Sequence, residues 1–308
     1  MKKLNYLIFF LFFITLNFSA NSKILIKYKV DDEIITNIDI IDEKNYLLFI
    51  RPNLKKLSDK EITKISENSI IQEIIKKKEL KKIFKNDQNL KFINEIKKNL
   101  FKFKNVNTEQ EFAELSKKNN VNYNKVINKI KYEAMWNELI FQKYSSLVKV
   151  DEDKLREDLK SKFAENRKYE YDLSEMLFEI DKLESFEIKY EEILKYIKNN
   201  DFKTAAAKFS ISKSSYNGGE IGWIKDTLLS KKLRSTLEKL SINEISKPIK
   251  YPNGYLILKI NNKREIKQFG SLNKELRELI NFEKNRQLSQ FSLLFYKKLK
   301  QNTSINEY

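Results

Sequence analysis

Four of the five glycines and two of the three prolines in this 308-residue chain lie within residues 209–260. Unusual backbone angles are therefore concentrated in one stretch of a sequence rich in Lys, Ile, Leu, Asn and Glu. Asn217-Gly218-Gly219 predicts a tight turn, and Gly222 in the short apolar strand that follows predicts a β-bulge or a close backbone approach. Pro252-Asn253-Gly254 predicts a second turn, which opens onto a strand over residues 255–260. This stretch favours a small sheet built around tight turns.

The chain contains neither cysteine nor histidine. Without cysteine there are no disulfides, thiol nucleophiles or thiolate metal sites, and without histidine the usual metal ligand and the usual general base at neutral pH are missing. No group of acidic residues has the spacing of a carboxylate metal site. We therefore expect no metal, no cofactor and no catalytic triad.

The formal net charge is +17, which in general favours nucleic-acid binding. The lysines, however, are interleaved with glutamates along the chain. The densest basic patch, Lys76-Lys77-Lys78 with Lys81-Lys82, lies on a predicted amphipathic helix and fits a solvated face. We expect no nucleic-acid partner, and we leave open a weak association with anionic membrane surfaces or with acidic segments of polypeptides.

Residues 1–22 have the features of a cleavable secretory signal peptide. Lys2 and Lys3 precede an apolar run over residues 4–16, and Ala20 and Ser22 are small residues at positions −3 and −1 of a cleavage site. The run is short for a membrane-spanning helix, so a retained anchor is the minority interpretation. The pattern predicts export from a bacterial cytoplasm into the periplasm.

Most of the following 140 or so residues have helical periodicity. Ser58-x-x-Glu61 is a capping-box pattern at the start of a long helix, and Asn37 is the predicted cap of the helix before it. The predicted elements are a hairpin over residues 24–36 and helices over residues 37–49, 58–84, 90–101, 108–118, 123–147 and 151–163.

A further long helix is predicted over residues 272–299. Its apolar face consists of Leu276, Leu279, Ile280, Phe282, Leu288, Phe291, Leu294 and Phe295. Such a face is too hydrophobic to stand alone in water, and the simplest way to bury it is against the N-terminal helices. This arrangement joins both chain ends in one domain, where residues 303–308 are placed to pair with the strand at residues 24–30.

The glycine-rich stretch resembles the parvulin family of peptidyl-prolyl isomerases. Four motifs occur in the family's order and spacing: Phe209-Ser210, the GG-x-[LI]-G-W pattern over residues 218–223, the EIS-x-P pattern over residues 244–248, and the GY-x-[IL] pattern that begins at Gly254. The resemblance covers residues 168–265 and places the first strand at residues 169–178. Helices are predicted within it over residues 185–199, 201–209 and 228–240.

The whole chain is similar in organisation to the SurA group of periplasmic chaperones, which combine a signal peptide, a helical N-terminal domain, a parvulin domain and a returning C-terminal helix. We therefore predict an α+β protein. Both chain ends form a mostly helical domain, and the inserted parvulin-type domain is a small antiparallel sheet surrounded by helices. The predicted divisions are a signal peptide (1–22), a helical domain (23–167), a parvulin-type domain (168–265) and a returning helix and tail (266–308).

The parvulin resemblance implies positions for the catalytic groups. Parvulins place two histidines and a Cys or Asp around the prolyl amide, and the aligned residues here are Glu175, Leu256 and Ser212. Asn253 aligns with a neighbouring Ser/Thr position. All three main polar positions are substituted, so Glu175, Ser212 and Asn253 are either remnants of a lost site or members of a compensating network.

The apolar part of the parvulin pattern is kept. The proline-pocket positions align with Ile221, Leu229 and Leu233, the last in place of the usual Phe. Aromatic residues near the aligned pocket can stack against client side chains. The predicted peptide-binding residues are Ile221, Trp223, Leu229, Leu233, Tyr251 and Leu256, and core packing is the competing interpretation for the aliphatic ones and for Trp223.

Prolyl isomerisation needs neither cofactor nor proton transfer, because its barrier of about 18–20 kcal/mol comes from amide resonance. An apolar groove beside backbone edges can hold an extended peptide without catalysing anything. We expect a periplasmic chaperone that binds unfolded outer-membrane proteins and whose parvulin domain has lost its polar catalytic residues. The alternative is an active peptidyl-prolyl isomerase with an altered site, and a third hypothesis is a basic binder of nucleic acid or envelope polymers.

Overall fold

The computed structural model describes residues 23–84, 93–164, 169–180, 185–266 and 270–308. The predicted signal peptide (1–22) lies outside these ranges, as does the predicted junction between the helical and parvulin-type domains at residues 167 and 168. The strands are β1 (Ile26–Val30), β2 (Glu33–Thr36), β3 (Tyr169–Phe178), β4 (Glu220–Lys225), β5 (Ile249–Tyr251), β6 (Gly254–Glu265) and β7 (Ile305–Glu307). The helices are α1 (Asn37–Ile50), α2 (Asp59–Ile83), α3 (Ile93–Phe103), α4 (Glu109–Lys118), α5 (Tyr123–Tyr144), α6 (Glu152–Ala164), α7 (Phe186–Asn199), α8 (Phe202–Phe209), α9 (Lys231–Leu237) and α10 (Leu272–Gln301).

The two ends of the described chain meet in a three-stranded antiparallel sheet with the order β2-β1-β7. Strand β7 pairs with β1 in a register that sets Tyr28 opposite Glu307 and Val30 opposite Ile305. The pairing predicted between residues 303–308 and the first strand is therefore confirmed. One face of the sheet packs on α2 through a buried apolar cluster.

Local hydrogen bonds fix where the first two helices begin. Glu61 and Ser58 form the predicted capping box of α2: the Ser58 hydroxyl accepts from the Glu61 amide, and the Glu61 carboxylate accepts from the Ser58 amide at 3.0 Å. The cap of α1 is Thr36 and not the predicted Asn37. The Thr36 hydroxyl accepts from the amide of Asp39, whose carboxylate accepts from the Thr36 amide in return.

Helix α10 returns to the N-terminal helices, as predicted, and packs on α5. The Trp136 ring of α5 stacks on Phe295 with the centroids 5.5 Å apart, and its Nε1 donates to Ser292 Oγ at 2.8 Å. Leu294 was predicted on the buried face and is instead 50% exposed. Successive residues of a helix lie about 100° apart around its axis, so Leu294 turns outward when Phe295 points at α5.

The remaining strands form a four-stranded antiparallel sheet with the order β4-β3-β6-β5. Side chains alternate between its faces along β3. Met176 and Phe178 belong to the buried cluster with α7 and α8, whereas Tyr171 and Leu173 belong to a separate cluster on the other face. The small sheet surrounded by helices, and with it the predicted α+β class, is confirmed.

The helix predicted over residues 228–240 is wrong in its extent. A short 3₁₀ helix covers Asp226–Leu228, Leu229 is extended with ψ at 136°, and α9 begins only after Ser230. The Ser230 hydroxyl caps α9 by accepting a backbone hydrogen bond from its first turn. Apolar residues continue through both elements, so hydrophobic periodicity alone does not reveal the break.

The helical part of the molecule and the four-stranded sheet part contact each other directly. Ala207 of α8 lies in a buried cluster with Leu47 of α1 and Leu57. The neighbouring Lys208 forms an ion pair with Glu61 of α2 at 2.7 Å. The division of the chain into domains at residues 167 and 265 stays a prediction.

Neither a membrane-spanning helix nor a metal cluster occurs in the part of the chain that the structure describes. No helix there has the length and apolarity that crossing a membrane requires. No three acidic side chains there are grouped so that they hold a metal ion.

Candidate peptide-binding site

The register between β3 and β6 decides which side chains share the candidate site. Glu175 lies opposite Leu258, and Leu177 lies opposite Leu256. Directly opposed residues of an antiparallel pair project from the same face, with Cβ atoms about 4.5–5.5 Å apart. Glu175 therefore lies on the face of the apolar cluster that contains Leu256 and Leu258, away from α7 and α8.

Four of the predicted peptide-binding residues meet on this face. Leu229 and Leu256 are each 4% exposed and belong to the buried cluster, so they form its floor. Leu233 and Tyr251 are partly buried at the border of the same cluster, where they keep surface for a ligand. Core packing thus describes the two floor residues, and the role of all four in peptide binding stays a prediction.

The partly buried Glu175 carboxylate accepts two hydrogen bonds on a single oxygen. Ser212 Oγ donates to Glu175 Oε1 at 2.5 Å, Ser214 Oγ donates to the same oxygen at 2.8 Å, and the two hydroxyl oxygens are 3.1 Å apart. The structure therefore brings together Glu175 and Ser212, two of the three substituted positions. Ser214 is a third member that the motif alignment missed, and its only signal is the run of hydroxyl residues after Phe209-Ser210.

Hydrogen bonds to the backbone hold this network in place. Ser210 Oγ accepts from the Leu177 amide at 3.1 Å and from the Ser212 amide at 3.2 Å, so the serine-containing loop runs along β3. On the other side of the network, the Gly219 carbonyl accepts from the Glu175 amide at 2.8 Å. The carboxylate is thus attached to a strand that is tied to two loops.

Gly219 allows the second of these loops to approach β3. Its φ is +83°, and a Cβ there would lie 2.3 Å from the Glu175 carbonyl oxygen and 2.9 Å from the Ala206 Cβ. Only glycine fits such a position without strain. Gly218 also has a positive φ, of 65°, which confirms the turn predicted at residues 217–219.

Asn253 is separate from the network. It lies in the turn between β5 and β6, is 6% exposed, and its Oδ1 accepts no hydrogen bond from any described residue. No hydrogen bond between described residues joins it to Glu175 or Ser212. The network in the structure is therefore Glu175 with Ser212 and Ser214, without Asn253.

The two predicted residues on β4 are placed differently from the rest. Trp223 pairs with Asp172, and alternation along β3 puts this pair on the face opposite Glu175. Trp223 is 40% exposed, with the Arg264 guanidinium carbon 4.2 Å from its ring centroid. The structure thus does not bring Trp223 to the Glu175 face, nor does it bury Trp223 in a core.

Ile221 is the extra residue of a bulge in the pairing of β4 with β3. Gly222 beside it has a φ of +76°, which confirms the predicted bulge. Ile221 is 36% exposed. The bulge opens a groove of about 680 Å³, lined by Asp172, Asn217, Glu220, Ile221, Gly222 and Asn261.

Helices α6 and α10 hold the segment that carries Leu229. Lys162 Nζ of α6 donates to the carbonyls of Thr227 and Leu229 at 3.1 and 2.8 Å. The Glu275 carboxylate of α10 accepts from Lys225 Nζ at 2.8 Å and from the Thr227 hydroxyl at 3.1 Å. Burial alone would raise the pKa of Glu275, but the hydrogen bonds from Lys225 and the Gly270 amide outweigh burial and lower this pKa.

Helix α10 also reaches Tyr251 at the border of the site. A hydrogen bond to Glu283 and the neighbouring Tyr251 hydroxyl raise the pKa of Arg286 above its ordinary value. Sequence patterns missed Lys162, Glu275 and Arg286, because residues that contact the site from distant helices leave no local motif. The site is therefore bordered by both parts of the molecule.

Comparison with known proteins identifies the class of the sheet part. Residues 173–262 match the family model of the rotamase PPIC-type PPIase domain, so this segment is a parvulin-type domain. Segments of the chain are also similar to SurA and PpiD chaperones.

Three relatives illustrate the similarity. Chaperone SurA of Pseudomonas putida is 39% identical over 64 residues, which are 21% of this chain and 15% of that protein. Periplasmic chaperone PpiD of Haemophilus ducreyi is 37% identical over 54 residues, which are 18% of this chain and 9% of that protein. A solved structure of a SurA-like chaperone from Campylobacter jejuni aligns with 92% of this chain and 98% of the other chain, at 17% sequence identity and a TM-score of 0.37. The matches to the two curated relatives thus span less than a sixth of each relative's length.

Proposed function

We propose that this protein is a periplasmic chaperone that holds unfolded polypeptides. Its PPIC-type domain acts as an accessory binding unit that has lost the usual polar catalytic groups, and unfolded outer-membrane proteins are the proposed clients. The observation that carries the proposal is the hydrogen-bonded network of Glu175, Ser212 and Ser214 beside an apolar face. The names of the curated relatives support the chaperone class.

The network explains why binding is favoured over catalysis. A serine hydroxyl has a single hydrogen to donate, and Ser212 and Ser214 both donate theirs to Glu175 Oε1. Where the parvulin resemblance implies two imidazoles, the site thus offers the acceptor carboxylate of Glu175 and the apolar side chain of Leu256. A prolyl carbonyl is itself an acceptor, so a carboxylate at this place does not stabilise it during rotation.

Apolar contacts, in contrast, remain available in both parts of the molecule. Leu233 and Tyr251 border the apolar face of the sheet part. In the helical part, Phe103, Phe141 and Leu147 are each more than half exposed. An unfolded client is held by several weak apolar contacts of this kind, which release it readily and need no fine geometry.

Light scattering tests the chaperone function. An outer-membrane porin unfolded in urea is diluted into buffer with or without residues 23–308, and aggregation is followed over time. We expect the chain to suppress scattering at a molar ratio near one, whereas an equal mass of an inert basic protein does not. Scattering that is unaffected by residues 23–308 contradicts the proposed function.

An active isomerase with an altered site is the second candidate. The contact between Glu175 and Ser212 favours it, because two of the three residues of the compensating network are in place. Exchange spectroscopy on a short X-Pro peptide measures the cis/trans rate, which without a catalyst takes tens to hundreds of seconds near 25 °C. If the wild-type chain accelerates the exchange and Leu233→Ala abolishes the acceleration, the isomerase function is supported. If the exchange stays at the uncatalysed rate with the wild-type chain, the isomerase function is excluded.

We further propose that residues 1–22 are a signal peptide that directs the chain to the periplasm. The charged start, the apolar run and the small residues at 20 and 22 support this. Amino-terminal sequencing of protein from the periplasmic fraction is expected to begin at Lys23. Recovery of the protein only from the cytoplasm, starting at Met1, contradicts the proposal. Weak association with anionic membrane surfaces stays a prediction.

A further inference from the structure

We propose that Glu175 makes the apolar face formed by Leu229, Leu233, Tyr251 and Leu256 selective for client segments in which a Lys or Arg flanks a large apolar residue. Glu175 is then a specificity-determining residue, and its carboxylate is the partner of the client's cation. The inference rests on the proposed function, because it names the class of ligand that this apolar face binds.

The hydrogen-bonding capacity of Glu175 is only half used. An ionised carboxylate has about four acceptor positions on its two oxygens. Both described hydrogen bonds to the side chain, from Ser212 and Ser214, end on Oε1. Oε2 accepts no hydrogen bond from any residue in the described ranges, so it remains available to a ligand.

The negative charge of Glu175 is likewise not neutralised by the described part of the molecule. The chain has 60 basic residues, yet no Lys or Arg within the described ranges forms an ion pair with this carboxylate. Lys213, between the two serines, turns away and donates to Asn137 Oδ1 of α5 at 2.7 Å. Lys259 pairs with Ser174, whose side chain projects from the opposite face.

The surroundings of Glu175 strengthen its attraction for a cation. Leu258 lies directly opposite it, and Leu256 and Leu177 form the next pair on the same face. Charges attract more strongly where apolar groups exclude water, and a charge-assisted hydrogen bond is about twice as strong as a neutral one. A partly buried carboxylate without an internal cation therefore favours a ligand that brings one.

The same geometry defines the segment that fits. An apolar side chain packs at the border formed by Leu233 and Tyr251, over the floor of Leu229 and Leu256. A flanking Lys or Arg then extends to Glu175 Oε2. A segment with Glu or Asp at that position is rejected, because the two carboxylates repel each other and neither has a neutralising partner.

Fluorescence anisotropy with residues 23–308 tests the proposal. Three labelled peptides share one apolar core with proline and differ only in a flanking Lys, Gln or Glu. We expect the Lys peptide to bind about 5–10-fold tighter than the Gln peptide, and the Glu peptide to bind weakest. The preference is expected to shrink at high salt, because screening weakens a partly exposed ion pair.

Two substitutions and a control assign the preference to one carboxylate. Glu175→Gln keeps the shape of the side chain and an acceptor for the two serines, and it should reduce the preference to less than about twofold. Glu175→Lys should reverse it in favour of the Glu peptide. Glu192→Gln is the matched control, since Glu192 lies on α7, away from the Glu175 face, and is already paired with Lys189 at 3.0 Å; it should leave the preference unchanged.

The outcomes separate this inference from the proposed function. Equal binding of the Lys and Glu peptides to the wild-type chain overturns the inference even if no variant folds, and it leaves the chaperone function standing. A preference that persists in a folded Glu175→Gln variant also overturns it. If none of the three peptides binds, the inference is overturned, and the porin assay alone decides on the chaperone function.

Discussion

At the scale of single residues, a glycine sets the position of the Glu175 carboxylate. The Gly219 carbonyl accepts from the Glu175 amide, and the space for a Cβ at Gly219 is taken by the Glu175 carbonyl oxygen. Gly222, three residues after Gly219, also has a positive φ, but a Cβ added there would have no neighbouring atom within 4 Å. An alanine at Gly222 would therefore suffer backbone strain alone, whereas an alanine at Gly219 would suffer both backbone strain and a steric clash.

We predict that Gly219→Ala lowers the free energy of unfolding by about 2–3 kcal/mol, because it combines a left-handed backbone with a clash against β3. Gly222→Ala should cost only about 1 kcal/mol, since strain alone acts there. Urea unfolding followed by circular dichroism measures both. Equal losses in the two variants would show that the close approach at Gly219 contributes nothing.

Two carboxylates at the contact between the helical and sheet parts have lowered pKa values. Burial alone would raise the pKa of Glu61, but hydrogen bonds from Lys208 and Ser58 outweigh it and lower this pKa from 4.5 to about 2. Burial likewise opposes the hydrogen bonds from Lys56 and Thr204 at Asp201, whose pKa falls from 3.8 to about 2. A carboxyl that is more acidic in the folded state stabilises that state when ionised.

We predict that these two groups contribute stability that is fully present above about pH 5 and is lost as the pH falls from there towards 2. The unfolded state binds protons first, so the free energy of unfolding decreases along this path. The variant Glu61→Gln/Asp201→Asn should be less stable than the wild type at pH 6 and should lose less stability between pH 5 and 2. Urea midpoints over this range measure the difference, and parallel curves for the two proteins contradict the prediction.

At the scale of elements, α10 connects the end of the chain to its beginning. The stacking of Phe295 on Trp136 and the hydrogen bond of Trp136 to Ser292 fasten it to α5. Its N-terminal part holds the sheet part through Glu275 and Lys225. A single helix thus supports both the helical core and the segment that carries the floor of the site.

We predict that Phe295→Ala lowers the free energy of unfolding by about 3–4 kcal/mol, because it removes a buried ring and leaves a cavity beside Trp136. Leu294→Ala is the matched control on the next residue, which is 50% exposed, and should cost less than about 1 kcal/mol. Urea unfolding monitored by tryptophan fluorescence compares them. Similar losses for the two variants would contradict the packing of α10 on α5.

Elements with strong local signals are predictable from the sequence, and contacts between distant segments are not. The turn at residues 217–219 follows from its glycines and asparagine, and the strand at residues 169–178 follows from the parvulin resemblance. The break before α9 was missed because one serine cap interrupts continuous apolar periodicity. The face on which Trp223 lies was missed because pairing register is decided between strands.

The candidate site was predictable in part for the same reason. The parvulin resemblance assigned Glu175 and Ser212 to the same site, and the structure joins them by a hydrogen bond. Ser214 belongs to the network through a loop conformation that no motif specifies. Lys162 reaches the Leu229 carbonyl from α6, and only the folded chain shows this contact.

At the scale of the whole molecule, the chain ends and the PPIC-type domain form a connected structure. Strand β7 pairs with β1, and Lys208, Lys225 and Lys162 connect the sheet part to α2, α10 and α6. Exposed apolar side chains occur on the helical part, and partly buried ones border the Glu175 face. An unfolded client that contacts both parts is held by more weak contacts than either part offers alone.

We propose that the helical part is needed to hold clients and that the PPIC-type domain is accessory. The most direct measurement is porin aggregation by light scattering with residues 23–308 and, separately, with residues 168–265 after circular dichroism has shown that this segment is folded. We predict that only the longer chain suppresses scattering. If the folded segment 168–265 suppresses scattering as well as the longer chain does, the PPIC-type domain itself holds the client and the helical part is not needed.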